Sequence, residues 1–298
     1  MLDQFREHLV LEDRSDITIK GYLRDLRQFS RWFKQTNRED LSPSTLTPID
    51  VRSYKSHMQT VKKCKPNTIN RHLAALRAYG AWAEEAGLVD INPARKTTNV
   101  PQTQLAPRWL DHKEQLAIER ELAKGVQNAS TEPARFNAVR DHAMVTLLLH
   151  TGLRLAELCA LELDDLVVKQ RTGHLTVRQG KGNKMRVIPL NKNARSALEE
   201  WMKVRDEAAS ASRLFLSRSG APIASRTISH VLQELASATV TEVTSQVLRH
   251  TFAKNLVDSG VGLEKVAALL GHSSLNTTKV YITPSLEDLN NAVARLED

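Results

Sequence analysis

Three prolines divide the sequence into two parts. Pro93, Pro101 and Pro107 lie within INPARKTTNVPQTQLAPRWL, residues 91–110, with mostly polar residues between them. Proline restricts φ and removes a backbone donor, so a regular helix or central strand does not run through such a stretch. We therefore predict a linker over residues 96–108, between domains of residues 1–95 and 109–298. A chain of 298 residues is long enough for two hydrophobic cores.

The first 95 residues have the apolar spacing of helices. Pro48 and Pro66 stand near the starts of two helical segments, and Gly87 stands near an end. In DITIKGYLRDLRQFSRWFKQ the residues near helical spacing are Ile17, Tyr22, Leu23, Leu26, Phe29, Trp32 and Phe33. We predict a small helical bundle with little strand.

Several basic side chains of this predicted bundle could form one charged face. They are Lys20, Arg24, Arg27, Arg71 and Arg77. Such a face is suited to DNA phosphates. The alternative for each residue is an ordinary solvated helix surface.

The second domain contains one section that is not helical. GHLTVRQGKGNKMRVIPL has short alternating apolar segments on either side of GKGN, and Gly180 and Gly182 permit a tight reversal. A β-hairpin is predicted here, and the sequence after it is mainly helical, with a turn at SRSGAPI. The fold class is therefore mainly α in two domains, the second an α+β domain with a small antiparallel sheet.

Charge and composition restrict the classes of function that are plausible for this chain. The net charge of +8 favours an acidic partner, most often nucleic acid. Two cysteines make neither a disulfide framework nor a zinc site. The charged N-terminus and the absence of an 18-residue apolar run predict a cytoplasmic protein that does not enter a membrane.

Four stretches carry polar residues that suggest chemistry. Each is weak alone, since a surface ion pair, a solvated turn lysine or a half-buried tyrosine would explain it. TGLRLAELCALELDDL contains Arg154 and Glu157, which are three residues apart and would share a face of a helix. The hairpin turn contains Lys181. SQVLRHTFAKNLVDSG contains Gln246 and Arg249, which would also share a helix face, and His250. LEKVAALLGHSSLNTTKVYITPS contains His272 and Tyr281.

Taken together, these residue types are suited to attack on a phosphodiester. Two guanidiniums can hold the non-bridging oxygens and stabilise the charge of the transition state. A lysine or histidine can protonate the departing 5′-oxygen. A tyrosine can form a covalent intermediate.

The sequence resembles the tyrosine recombinases, also called phage-integrase or Xer-type recombinases. The resemblance is carried by TGLRLAEL, GKGNKMRVIPL, LRHTFAKNLV and LLGHSSLNTTKVY, in that order over roughly the last 150 residues. TIKGYLRDLRQF resembles more loosely the helical, SAM-like core-binding domain of that family.

The resemblance implies a role for each of these residues. Arg154 and Arg249 would clamp the phosphate, Lys181 would be the general acid, and Tyr281 the nucleophile that forms a 3′-phosphotyrosyl link. His272 would assist at the phosphate, and Glu157 would orient its neighbours.

The resemblance also implies a mode of action on DNA. It implies double-stranded DNA with specific recombination sites as the partner, a homo-tetramer on two such sites, and in some members a second recombinase. It implies no metal or other cofactor, and a C-terminal exchange helix from about residue 286.

One position departs from the family pattern. The family usually has H-x-x-R, whereas Gln246 occupies the histidine position here. Glutamine can donate and accept hydrogen bonds, but it cannot transfer a proton near neutral pH. The site could tolerate the change, His250 could compensate, or the enzyme could be slow or depend on a partner; we favour tolerance, with Lys181 and His272 carrying the proton transfers.

The predicted function is site-specific DNA recombination, for integration and excision, resolution of dimers or resolution of transposon cointegrates. One alternative is a type IB topoisomerase-like nicking activity with the same groups. The other is a catalytically weak or partner-dependent DNA-binding protein on the same fold. Tyr281 argues against the latter, and Gln246 argues for it.

Overall fold

The computed structural model describes residues 1–102, 107–178, 185–205, 212–272 and 274–282. The chain forms two compact units, Met1–Leu105 and Ala106–Asp298. Part of the predicted linker, the GKGN turn with Gly180, Lys181 and Gly182, and the predicted exchange helix from residue 286 lie outside the described residues. The two cysteines are free thiols. Within the described ranges, no helix is long and apolar enough to cross a membrane.

The N-terminal unit is a bundle of helices. Its elements are α1 (Leu2–Leu11), α2 (Asp16–Asn37), α3 (Pro48–Thr60) and α4 (Pro66–Glu85). Ser15 caps α2, and Thr47 forms a capping box with Asp50 at the start of α3. Pro48 and Pro66 open their helices, where a missing backbone donor costs nothing. The predicted helical bundle is confirmed.

The core of this bundle is rich in aromatic side chains. The largest members of the buried cluster include Phe5, Phe29, Phe33, Tyr54 and Tyr79. The spacing in α2 predicts its inward face apart from Ile17, which is 82% exposed. Ile17 lies in the first turn of α2, and Ile19 is buried instead.

The C-terminal unit is built around α6, which is buried on most of its circumference from Val139 to Thr151. The helices of this unit are α5 (His112–Asn128), α6 (Glu132–Thr151), α7 (Leu155–Ala160), α8 (Lys192–Val204), α9 (Ser225–Thr239), α10 (Ser245–Asp258) and α11 (Leu263–Leu270). Short 3₁₀ helices span Leu163–Asp165, Leu275–Thr277 and Lys279–Ile282.

A three-stranded antiparallel sheet covers part of this helical unit. Its strands are β1 (Leu166–Val168), β2 (Gly173–Val177) and β3 (Arg186–Pro189), in the order β1-β2-β3. Leu175 pairs with Ile188, and both are buried. The hairpin prediction is confirmed for its two strands. β1 was missed because its three residues are too short to show an alternation.

Candidate active site

The carboxyl end of α11 is the structural centre of the site. Leu270 is its last helical residue, and Gly271 follows in the left-handed conformation (φ 66°, ψ 44°) that glycine adopts without a steric penalty. The last carbonyls of a helix have no partner within the helix and carry partial negative charge. Here three consecutive carbonyls, those of residues 269–271, accept hydrogen bonds from three different arginines.

Arg154 is the first of these arginines. It is the N-cap residue of α7, immediately outside the helix rather than within it. Its backbone N–H donates to Oε2 of Glu157 (2.8 Å), and its Nη1 donates to Oε1 of the same carboxylate (2.8 Å). Its Nη2 donates to the carbonyl of Gly271 (3.3 Å). The predicted proximity of Arg154 and Glu157 is thus produced by a capping box.

Arg249 is the second, and it lies on the buried face of α10 with 8% of its surface exposed. Its guanidinium donates to the carbonyl of Gly152 and, through Nη2, to the carbonyl of Leu270 (2.7 Å). Burial, together with the nearby charge of Arg154, lowers the pKa of Arg249 to about 10. The guanidinium therefore remains charged at neutral pH.

Arg186 is the third arginine, and sequence reasoning missed it. Its Nη1 and Nη2 donate to the two oxygens of Glu157 (3.0 and 2.7 Å), and its Nε donates to the carbonyl of Leu269 (2.9 Å). Burial acts to raise the pKa of Glu157, but hydrogen bonds from Arg186 and Arg154 outweigh it and keep that pKa below its ordinary value. The alternation in β3, which places Arg186 on the same face as buried Ile188, was the available signal.

Tyr281 is buried, with 2% of its surface exposed, in the 3₁₀ helix Lys279–Ile282. It belongs to a small buried cluster with Ala253, Val266 and Leu270, and its hydroxyl lies 2.7 Å from Nδ1 of His250. Burial raises the pKa of the Tyr281 phenol. Burial and the charge of Arg249 lower the pKa of His250, so the imidazole is neutral at pH 7 and can accept the phenol proton through Nδ1.

His272 follows the α11 cap directly. Its Nδ1 lies 2.9 Å from the hydroxyl oxygen of Thr278, a fully buried residue. Burial and the adjacent charges of Arg249 and Arg154 lower the pKa of His272 to about 4. The side chain is therefore neutral over the physiological pH range.

One predicted site residue, Gln246, is not brought into this cluster. Gln246 lies in the first turn of α10, exposed to solvent, and its side chain makes no hydrogen bond to another described residue. Gln246 and Arg249 were expected to share a helix face, but Arg249 points inward and Gln246 outward. Lys181 lies outside the described residues.

The predicted basic face of the N-terminal unit divides into two kinds of residue. Lys20, Arg24 and Arg27 are exposed along α2 at helical spacing. Arg71 is held by a bidentate pair with the buried carboxylate of Asp25 (2.7 and 2.9 Å), and Arg77 donates to Asn99. Arg24 also lies 3.5 Å, through Nε, from Oδ1 of Asp25. Lys20 and Arg27 are therefore free to meet an anion, whereas Arg71 and Arg77 also hold the bundle together.

The arrangement has a definite chemical capacity. It combines fixed guanidiniums, neutral imidazoles and one phenol, which suits a tetrahedral oxyanion and a proton transfer. Within the described ranges, no group of three or more His, Cys, Asp and Glu residues could hold a metal ion.

Two family models match the chain. The model described as "Phage integrase family" matches residues 111–287, and the model described as "Phage integrase, N-terminal SAM-like domain" matches residues 1–86. These ranges correspond to the catalytic and core-binding domains that the resemblance implied.

Curated relatives match the whole chain. The tyrosine recombinase XerC of Corynebacterium glutamicum is 33% identical over 99% of this chain and 92% of its own length. The tyrosine recombinase XerC of Thermodesulfovibrio yellowstonii is 29% identical over 97% of this chain and 93% of its own length.

The solved structures extend the likeness to the fold. The crystal structure of the XerH site-specific recombinase bound to a palindromic difH substrate, a post-cleavage complex, matches with a TM-score of 0.77. It is 19% identical, and the match covers 96% of this chain and 82% of that one. This match shows a shared fold. The two family models and the relatives of full length show that the chain belongs to the phage integrase family and is a tyrosine-type site-specific DNA recombinase.

Proposed function

We propose that this recombinase cuts and rejoins DNA through a covalent bond between the Tyr281 phenol oxygen and a 3′-phosphate. The observation that carries the proposal is the convergence of Arg154, Arg249 and Tyr281 on the α11 end, with Tyr281 hydrogen-bonded to His250. Arg154 and Tyr281 lie 127 positions apart in the sequence.

In the proposed cleavage step, the phenol oxygen of Tyr281 attacks phosphorus while the bond from phosphorus to the 5′-oxygen breaks. Arg154 and Arg249 hold the non-bridging oxygens and stabilise their growing charge. Lys181 gives a proton to the departing 5′-oxygen, and neutral His272 donates a hydrogen bond to the phosphate. The reverse attack by a 5′-hydroxyl of another strand restores the phosphodiester, so the phosphotyrosyl bond conserves the energy for rejoining.

The phenol proton has an acceptor in this scheme. His250 lies 2.7 Å from the hydroxyl and is neutral, whereas exposed Gln246 cannot take a proton. This contact supports the second of the three explanations for the missing histidine, compensation by His250, over tolerance. Gln246 would then contribute at most a hydrogen bond to the DNA.

DNA binding must also make Tyr281 accessible, because a phenol with 2% exposure cannot reach a phosphate. Partial displacement of the Lys279–Ile282 turn would accomplish this while Arg154 and Arg249 remain on α11. His250 would accept the proton as the phenol leaves its present position.

The proposal is tested with nicked suicide duplexes drawn from the native genomic neighbourhood of the gene. A covalent protein–DNA adduct should appear on denaturing gels, and Tyr281→Phe should abolish it. Tyr22→Phe is a matched control, since Tyr22 is a half-buried tyrosine of the N-terminal unit. His250→Asn should slow adduct formation by about 10²-fold. An adduct that persists in Tyr281→Phe contradicts the assignment.

The proposal extends to the cellular location, the DNA substrate and the assembly of the recombinase. We infer action in the cytoplasm on paired double-stranded sites, by a homo-tetramer, alone or with a second recombinase. Integration and excision, dimer resolution and cointegrate resolution are all compatible with this chemistry. A supercoiled plasmid with two sites separates recombination, which changes the topology or the number of circles, from relaxation by a topoisomerase-like activity, which needs no second site.

A further inference from the structure

Arg186 is more deeply buried than Arg154, which together with Arg249 forms the proposed phosphate clamp. The side chain of Arg154 is 33% exposed, whereas that of Arg186 is 9% exposed and that of Glu157 is 5% exposed. Arg154 can therefore meet a phosphate, and Arg186 cannot do so without leaving its carboxylate. Any influence of Arg186 on the reaction must pass through its neighbours.

The first of these neighbours is Glu157. Its Oε1 accepts from both Arg154 (2.8 Å) and Arg186 (3.0 Å), and its Oε2 accepts from Arg186 (2.7 Å) and the Arg154 backbone (2.8 Å). Two guanidiniums share one carboxylate, so the three groups carry a net charge of +1. Without Arg186, Glu157 would neutralise Arg154, and the positive potential available to a phosphate would fall.

The second neighbour is the end of α11. Arg186 donates through Nε to the carbonyl of Leu269, and its guanidinium lies against Gly271. A Cβ at Gly271 would lie 2.9 Å from Nη1 of Arg186. Arg186 thus connects β3 to the helix end that precedes His272 and that also holds Arg154.

We propose that Arg186 is a positioning residue of the strand-exchange site: it neutralises and fixes Glu157 and anchors the α11 end, so that Arg154 faces the phosphate with its charge uncompensated. This inference rests on the proposed function. It concerns the phosphate clamp rather than the nucleophile Tyr281, so either proposal can fail while the other holds.

The test compares Arg186→Lys and Arg186→Met with wild type in two assays. One measures the affinity for a recombination site, and the other measures the rate of adduct formation on a nicked duplex at saturating protein. We expect the rate to fall by about 10²-fold in both variants, because the bidentate fork is lost, with affinity changed by no more than about threefold. Arg178→Lys is the matched control, since Arg178 directly follows β2 and pairs with a different buried carboxylate, that of Asp165. Its rate should stay at the wild-type value.

A double variant distinguishes electrostatic positioning from general support of the fold. Arg186→Met leaves the Glu157 charge to Arg154 alone, so adding Glu157→Gln should recover part of the lost rate. A merely structural role predicts that the double variant is at least as impaired as Arg186→Met. That result would overturn the proposal, as would an unchanged rate in Arg186→Lys.

A substrate with sulfur in place of the bridging 5′-oxygen tests the route of the effect. Sulfur leaves without protonation, so it bypasses the general acid. The Arg186 defect should persist on this substrate if it acts through Arg154. Full recovery would overturn the proposal by placing the defect in leaving-group protonation. Failure of wild type itself to form an adduct would instead refute the proposed function.

Discussion

Replacing Gly271 by alanine tests the geometry around α11 most directly. Gly271 has φ 66°, and an alanine held in the left-handed region costs about 1–2 kcal/mol. The added Cβ would also lie 2.9 Å from Nη1 of Arg186 and 3.2 Å from its Cδ and Cζ. Arg186 would have to shift away from Gly271 against its hydrogen bonds to Glu157 and the Leu269 carbonyl, and overpacking of this kind costs about 1–3 kcal/mol more.

Gly260 provides the control for this change. It has φ 81°, in the same left-handed region, but a Cβ there would meet no atom within 4 Å. Gly260→Ala should therefore lower the free energy of unfolding by about 1–2 kcal/mol through the backbone alone. Gly271→Ala should lower it by about 2–5 kcal/mol, and the difference between the two variants measures the Arg186 contact.

The two variants should also differ in catalysis. Because a displacement of about 1 Å at a catalytic group costs about 10²-fold in rate, Gly271→Ala should slow adduct formation at saturating protein by that order, whereas Gly260→Ala should not. Urea unfolding measures the stability, and single-turnover cleavage of a nicked duplex measures the rate. If the two variants were equal in both measurements, the contact between Gly271 and Arg186 would have no energetic consequence and the reasoning would be refuted.

Three further predictions concern other parts of the molecule. Gln246→Ala and Gln246→His should leave the free energy of unfolding within about 0.5 kcal/mol of wild type, since the side chain is exposed. Cleavage rates equal to wild type in both variants would show that the position has no catalytic role. Loss of cleavage in Gln246→Ala alone would indicate a hydrogen-bonding role. The pKa of His272 is lowered to about 4 in the folded protein, so as pH falls the unfolded chain binds a proton at this residue before the folded protein does. The stability of the protein should therefore decrease as pH falls from about 6.5 to about 4. Unfolding midpoints of His272→Asn should depend less on pH than those of wild type, and an identical dependence would contradict the shift. Replacing Lys20 and Arg27 by alanine should weaken DNA binding. The slope of the logarithm of the binding constant against the logarithm of the salt concentration should fall by about one unit per residue that contacts a phosphate. The rate of adduct formation at saturating protein should not change, and a matching loss of rate would show that the role of these residues is not confined to binding.

Much of the fold follows from patterns within a few residues. Many helices of both units begin at capping residues or prolines, and, apart from Ile17, α2 turns inward the residues that its spacing indicates. The two strands of the hairpin follow from alternation. Such features depend on interactions between positions up to four apart, which a sequence displays directly.

The sequence predicts which residue types the candidate site would use, but not the contacts between them. Arg154, Arg249, His272 and Tyr281 were selected by motif, and the structure places them around one helix end. The inward direction of Arg249 and the outward direction of Gln246 were not anticipated, although the two residues are only three apart. Which way a helix presents a polar side chain depends on what packs against it, and a periodicity argument does not contain that information.

The sequence by itself determined most of the helices, the two strands of the hairpin and the chemical groups available for phosphoryl transfer, because these depend on local geometry and on residue type. Only the tertiary structure decided which of these groups meet. Arg186 reaches Glu157 across 29 positions, His250 reaches Tyr281 across 31, and Arg249 reaches Gly152 across 97. In each contact, packing buries a polar group next to a partner that is distant in sequence. A buried polar group is costly without a hydrogen bond, so the two groups pair, and no local sequence pattern indicates which groups will do so.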